Sequence, residues 1–427
     1  MTSGSAAPEH TALRAVTRPL DAPLGMPELL ARADPTDPLV WIRGDRGAVG
    51  VGETLRLRFS GPGRFSRAAQ AWRELSSAAE IDDPVRLPGS GLVAFGAFAF
   101  DDESEAASVL VVPRLLIARH RGTAWITEIS RDGNPVPPST APSARRAGAA
   151  PAARLPVAAP DEAYLASVGK ARGRIELGEA EKIVVARRVA GTVAADGDLR
   201  VPLGRLAERY DGCWTYAVDG ILGASPETLV RRADGAISAR VLAGTRARRL
   251  DDPAADARVR DELLTSSKEQ HEHAFAVQSV VTALSPHVDG LRTSEEPFAL
   301  GLPNVWHLAT DLGALPGRES SLELAAALHP TAAVAGTPTS VAVSAIAELE
   351  SFDRGRYAGP VGWIDADGDG EWVIALRCAE LGPPAGGIRT ITAYAGGGIV
   401  EGSDPAREFA ETVSKFAPIV EAFAAAD

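Results

Sequence analysis

A chain of 427 residues with 45% hydrophobic content has the length and apolar stock of two ordinary domains, or of one large α/β unit with a substantial core. Its formal charge of −12 argues against a nucleic-acid partner, because phosphate recognition needs a concentrated basic surface; an anionic small substrate would have to be met by local cations or a metal. Two cysteines, Cys213 and Cys378, are too few for a disulfide framework, and no stretch reads as a signal peptide or reaches the ~20 apolar residues of a membrane helix, so a cytoplasmic protein without membrane contact is expected.

Residues 1–132 read as a β-rich part, with strand patterns at 39–53, 55–60, 91–100 and 108–120. Residues 133–160, rich in Pro, Ala and Ser without apolar periodicity, are expected to form a flexible linker. From 161 to 427 helices and strands alternate. A capped helix at 161–179 precedes a strand at 181–191, and strands at 213–220 and 221–232 meet about a turn. A long helix is expected over 261–284, with Val277, Val280, Val281 and Leu284 as its buried stripe. The last helix starts with Asp404 as cap and Pro405 at its first position, and Phe409, Val413, Phe416, Val420 and Phe423 recur every three or four residues.

Two helices carry Glu pairs spaced three apart, Glu269 with Glu272 and Glu408 with Glu411; Lys415 follows the second pair four residues on. That spacing puts each pair on one helical face. Brought together, the carboxylates would repel one another unless a cation sat among them, and Mg²⁺ takes oxygen ligands. A solvated helix surface explains either pair taken alone. His271 and His273 flank Glu272, but positions two apart on a helix do not face one another, which disfavours joint zinc ligation.

Asp365, Asp367 and Asp369 imitate a calcium loop, yet Leu376 stands where the bidentate Glu is required, so a polar turn between two strands is expected instead. Gly396, Gly397 and Gly398 follow a strand and allow backbone N–H groups to approach an anion, or form a tight strand exit. Lys182 opens the strand pattern KIVVAR; such lysines are usually solvated, though one drawn into a closed apolar site can serve as a base.

Taken in order, EKIVVAR, GASPETLVR, LAGTR, SSKEQHEHAFAV, LPNVWHLAT, LHPTAAVAGTP, ESFDRGRYAGPVGWIDADGDGEWVIALRCAEL and AGGGIVEGSDPAREFAETVSKF resemble the chorismate-utilising enzymes, specifically isochorismate synthases. The resemblance spans most of 160–427 and extends more weakly over 38–100. It implies a large α/β sandwich, two β-sheets flanked by helices around a deep active site, acting as a monomer on chorismate with Mg²⁺.

By the same resemblance Glu272 and Glu411 would bind Mg²⁺ directly, with Glu269 and Glu408 holding its waters. Lys182 would be the general base that activates water for attack on C2, and Glu227 the general acid for the departing C4 hydroxyl. His307 would orient the ring, Arg377 and Tyr357 the enolpyruvyl group, and Lys415 with Gly396, Gly397 and Gly398 the carboxylates.

Anthranilate synthases carry Gln where Lys182 stands, and salicylate synthases commonly carry Thr where this chain has Ala333; both positions favour hydration that stops at isochorismate. LAGTR occurs in several subfamilies and does not discriminate. The text around NVWHLAT and GRYAGPVGWIDADGDGEW looks closest to menaquinone-pathway members, with a siderophore pathway as the alternative. Two other functions compete: a salicylate synthase that continues to pyruvate elimination, and a non-catalytic binding subunit of the same family.

Overall fold

A computed structural model describes residues 12–21, 24–131, 147–301 and 305–425. Its centre is the strand Ser108–His120, whose apolar run SVLVVPRLLIARH is buried along most of its length and pairs with three neighbours, Arg46–Phe59, Val93–Ala97 and Thr123–Arg131. Two runs of antiparallel strands leave it. One passes from Val93–Ala97 through Pro360–Asp365, Gly370–Ile374, Thr228–Ala233 and Ala236–Ala247 to Val305–Pro316. The other passes from Arg46–Phe59 through Leu39–Arg43, Trp214–Val218, Ile221–Ser225, Cys378–Leu381 and Ile388–Ile399 to Lys182–Ala194.

The architecture is thus the expected α/β sandwich, but its two sheets are continuous through a shared strand. The residues before and after the linker region interleave in both runs. Two apolar clusters fill the layers. One is built on Phe95, Phe98, Val111 and Trp372, the other on Leu29, Leu203, Ile391, Phe416 and Phe423.

Of the expected linker, residues 133–146 lie outside the described residues. Residues 147–160 contain no helix or strand but are packed down: Leu155 is buried, Ala153 donates to the Phe423 carbonyl, and Arg187 donates to the Val157 carbonyl.

Three local expectations need correction. The helix expected over 261–284 is two helices, Pro253–Thr265 and Ser267–Leu284. Ser266 between them is extended, and its hydroxyl accepts from Glu269 N–H, so a cap won over continuation. In the last helix, Pro405–Ala422, the buried seam runs through Thr412, Phe416, Ile419 and Phe423; Val413 and Val420 are only partly covered. Gly396, Gly397 and Gly398 lie inside the strand Ile388–Ile399, paired with Ala186, Val185 and Val184, and do not mark its exit. No described helix is long and apolar enough to cross a membrane.

Candidate active site

Lys182 is the first residue of the strand Lys182–Ala194, as its motif predicts. Registration with Ile388–Ile399 lays its side chain across Gly398: a β-carbon there would meet Lys182 Cε at 2.4 Å and Nζ at 3.2 Å. Burial pulls the ammonium pKa down from its ordinary value, against the charges of Glu272, Glu227 and Glu411, while Lys415 adds to the lowering.

Glu227 sits in the break that Pro226 makes between Ile221–Ser225 and Thr228–Ala233. Its backbone is pinned at both ends. Its N–H donates to Ser225 Oγ at 3.2 Å, Ser225 Oγ donates to the Ile374 carbonyl at 2.6 Å, and Ile374 N–H donates to the Glu227 carbonyl at 3.1 Å. Burial pushes its carboxyl up to about 7, although Lys182, Arg377 and Lys415 all act to lower it. A lysine lowered and a glutamate raised within one electrostatic neighbourhood is an arrangement that can supply a base and an acid.

His307 lies on Val305–Pro316 opposite Thr245, and its Nδ1 is 2.8 Å from Thr245 Oγ1. Burial, Arg377 and Lys415 bring its pKa down to about 4, so the ring is neutral at physiological pH. Arg377 has φ +49, a left-handed conformation that costs a non-glycine residue about 1–2 kcal/mol. Among the described residues its side chain makes no hydrogen bond or ion pair, so the guanidinium is available to an anion. Tyr357 is buried beside it and stacks on Tyr394 at 5.1 Å.

Lys415 Nζ donates to the Gly396 carbonyl at 2.8 Å and pairs with Glu411 at 2.6 Å. Burial alone would raise Glu411, but Lys415 and Arg377 outweigh it and hold the carboxyl below its ordinary value. Ala333 and Glu227 line a common small cavity of about 30 Å³, together with Thr331, Ala332 and Ile374. A larger cavity of about 250 Å³, between Met26–Leu30 and Arg200–Arg209, is lined by none of these residues.

The two Glu pairs share one pattern. In each, the second carboxylate is open, Glu272 with 40% and Glu411 with 51% of its side chain exposed. The first is tucked against a glycine: a β-carbon would stand 3.0 Å from Glu269 Oε2 at Gly244 and 3.0 Å from Glu408 Oε2 at Gly397. Burial and the neighbouring Glu raise the carboxyls of Glu269 and Glu408, with Ser403 Oγ at 2.8 Å partly offsetting this at Glu408.

Among the described residues no three of His, Cys, Asp or Glu stand close enough together to hold a metal ion. The donor chemistry nevertheless suits Mg²⁺. It is all oxygen, and each pair sets an open carboxylate beside one that lies against a glycine. The charges of Glu272 and Glu411, one from each pair, both reach Lys182. His273 is buried between the Ala243 carbonyl and Thr310 Oγ1 while His271 packs against Phe275, and Asp365 Oδ1 accepts from Asp367 and Asp369 N–H in a closed turn.

Residues 40–424 match the model of the chorismate binding enzyme family. The chain belongs to that family. It is 38% identical over 352 residues to the putative isochorismate synthase MenF of Mycobacterium tuberculosis, covering 78% of this chain and 87% of that one. It is 40% identical over 280 residues to the isochorismate synthase DhbC of Bacillus subtilis, covering 62% and 69%. Its fold matches the crystal structure of a putative 2,3-dihydroxybenzoate-specific isochorismate synthase, DhbC, from Bacillus anthracis, with TM-score 0.74 and 31% identity over 93% of this chain and 99% of that one. It matches MenF, the menaquinone-specific isochorismate synthase of Escherichia coli, with TM-score 0.75 and 25% identity over 96% and 95%.

This chorismate-binding enzyme also positions its site through residues that sequence reading passed over. The LAGTR segment supplies Thr245 to His307, and its Gly244, at φ +82, occupies the irregularity where the pairing shifts between Leu242 and Thr245. The segment ESFDRGR supplies a buried ion pair. Arg354 Nη2 is 2.6 Å from Glu350 Oε1, while Arg354 donates to the Val184 and Val334 carbonyls and Glu350 accepts from Ala186 N–H. That pair clamps the Lys182 strand to the 331–336 segment. Both motifs were visible in the sequence; their partners, distant along the chain, were not.

Proposed function

We propose that this chain is an isochorismate synthase that converts chorismate to isochorismate, with Lys182 as base and Glu227 as acid. The observation that carries the assignment of roles is their opposed displacement, an ammonium lowered by burial and a carboxyl pushed up to about 7, each within reach of the other's charge. The similarity to proteins named isochorismate synthases supports the reaction.

Water is a weak nucleophile and hydroxide a poor leaving group, so the exchange needs a base at one carbon and an acid at another. Lys182 Nζ accepts a proton as the water oxygen bonds to C2, the ring double bonds shift, and the C4–O bond breaks as Glu227 gives its proton to the departing oxygen. One water enters and one leaves. Lys182 ends protonated and Glu227 deprotonated, and a proton returned from one to the other resets the site.

Arg377 and Lys415 meet the substrate's two carboxylates, Arg377 through a guanidinium that has no hydrogen bond or ion pair among the described residues and Lys415 from the last helix, its Nζ held at the Gly396 carbonyl. Neutral His307, held by Thr245, orients the ring without adding charge to the site. Glu272 and Glu411 would hold Mg²⁺, with Glu269 and Glu408 behind them. The ion would neutralise a ring carboxylate and stabilise charge shifting through the conjugated system.

The M. tuberculosis relative and the E. coli structure both carry the name MenF, given for the latter as menaquinone-specific, and we read the product as supplying menaquinone synthesis. Incubation of the purified chain with chorismate and Mg²⁺, followed by chromatographic identification of products, tests the function. Isochorismate is expected as the main product. Salicylate as the main product would make the chain a salicylate synthase, and binding of chorismate without turnover would make it a binding subunit.

A further inference from the structure

Tyr164, on the helix Glu162–Glu176, is 2% exposed, and its phenol oxygen has no hydrogen-bond partner among the described residues. The ring itself is accounted for. It packs near Phe409 with centroids 6.5 Å apart, and the Arg187 guanidinium lies 5.9 Å from its centre. The hydroxyl is not. A buried donor left unmade costs about 1–3 kcal/mol, and a phenylalanine would supply the same packing without that cost.

The hydroxyl meets a carboxylate over one glycine. A β-carbon at Gly397 would stand 3.7 Å from Tyr164 Oη and 3.0 Å from Glu408 Oε2, so both oxygens lie over the face on which Gly397 has no side chain. The charges of both Glu408 and Glu411 reach the phenol. Glu408 uses its other oxygen, Oε1, on Ser403, which leaves Oε2 over Gly397. An acceptor carboxylate and a protonated phenol over one glycine are a site for one water, which would give a proton to Glu408 and accept one from Tyr164.

We infer that Tyr164 is a positioning residue of the carboxylate site, its hydroxyl donating to a water that Glu408 Oε2 also holds beside Gly397. This rests on the reading of Glu408 as a carboxylate behind Mg²⁺, and it adds a neutral donor from a helix that carries none of the other site residues.

The test uses Mg²⁺ binding by calorimetry and thermal unfolding with and without Mg²⁺, on the wild-type chain, Tyr164→Phe, Glu408→Gln and the double variant. Tyr164→Phe is expected to unfold no earlier than wild type in the absence of metal, since only an unpartnered hydroxyl is removed. Its Mg²⁺ affinity should fall about 10–100-fold, the usual effect of losing a partner behind the direct ligands, with a matching loss of the Mg²⁺-induced rise in Tm. The double variant should lose little beyond Glu408→Gln alone, because both side chains act on the same water.

Wild-type Mg²⁺ affinity in Tyr164→Phe, or strictly additive losses in the double variant, would overturn the role of Tyr164 while leaving Glu408 in place. Absence of Mg²⁺ binding by the wild-type chain would overturn the reading of the carboxylates, and this inference with it.

Discussion

Lys182 crosses its neighbouring strand at Gly398 so closely that a β-carbon there would stand 2.4 Å from Lys182 Cε. The atom that would have to yield belongs to the far part of a flexible side chain, so Gly398→Ala is expected to fold with a Tm close to wild type. Displacing Lys182 by about 1 Å is the scale of error that costs on the order of 10²-fold in rate. Turnover should fall by about that factor, matching Lys182→Ala; kcat and thermal unfolding measured on both variants check it. Near-normal kcat in Gly398→Ala would mean that Lys182 is not the base.

Glu227 links stability to pH. A carboxyl whose folded pKa is raised from 4.5 to about 7 favours the folded state while protonated. That contribution is complete below the unfolded pKa and is lost as pH rises through the folded one. Relative to Glu227→Gln, the wild-type chain should therefore lose Tm progressively between about pH 4.5 and about pH 7 and no further above it. In catalysis the same group sets one limb of the kcat/KM profile near pH 7, whichever side Lys182 occupies. Thermal scans at stepped pH, beside the rate profile, read both; a Tm difference flat across this window would remove Glu227 from the acid role.

Each Glu pair sets an open carboxylate beside one that lies against a glycine, an all-oxygen donor set that suits Mg²⁺. Activity is expected to require Mg²⁺, and Glu272→Gln or Glu411→Gln should nearly abolish it by removing a charged ligand. Glu411 also balances Lys415 at 2.6 Å, so its variant should raise the KM for chorismate as well. Steady-state kinetics over a Mg²⁺ titration separate the two effects. Full activity in excess chelator would contradict the assignment.

Ala333 shares a small cavity of about 30 Å³ with Glu227 and Thr331, whose hydroxyl is buried without a partner among the described residues. A threonine at 333 would enter that space, adding a methyl group and one hydrogen bond worth on the order of 1 kcal/mol. Because a tenfold change in partition needs about 1.4 kcal/mol, Ala333→Thr should raise the salicylate fraction without making it the main product. A product time course under matched conditions decides; an unchanged fraction would remove Ala333 as a marker of reaction outcome.

Much of the site was readable in the linear chain because it depends on short-range spacing. Positions 408, 411 and 415 share a helical face at three- and four-residue intervals, and Lys415 pairs with Glu411 as that geometry requires. Pro226 breaks the strand before Glu227 for a local reason, the loss of an N–H. The errors were local competitions that spacing does not resolve: Ser266 capping a new helix where apolar periodicity ran on, and a seam through Thr412 and Ile419 where valines stood one residue away.

What only the folded molecule decided is whatever depends on groups distant along the chain. Gly398 matters because registration with Val184 puts it beneath Lys182, more than two hundred positions earlier. Gly244 and Gly397 acquire meaning from Glu269 and Glu408, and the Lys182 strand is held by Glu350 and Arg354. The protonation states at Lys182 and Glu227 belong to this class as well. A motif names the side chain, but its pKa follows from the water that neighbours exclude and from the charges they bring near, and both are set by packing.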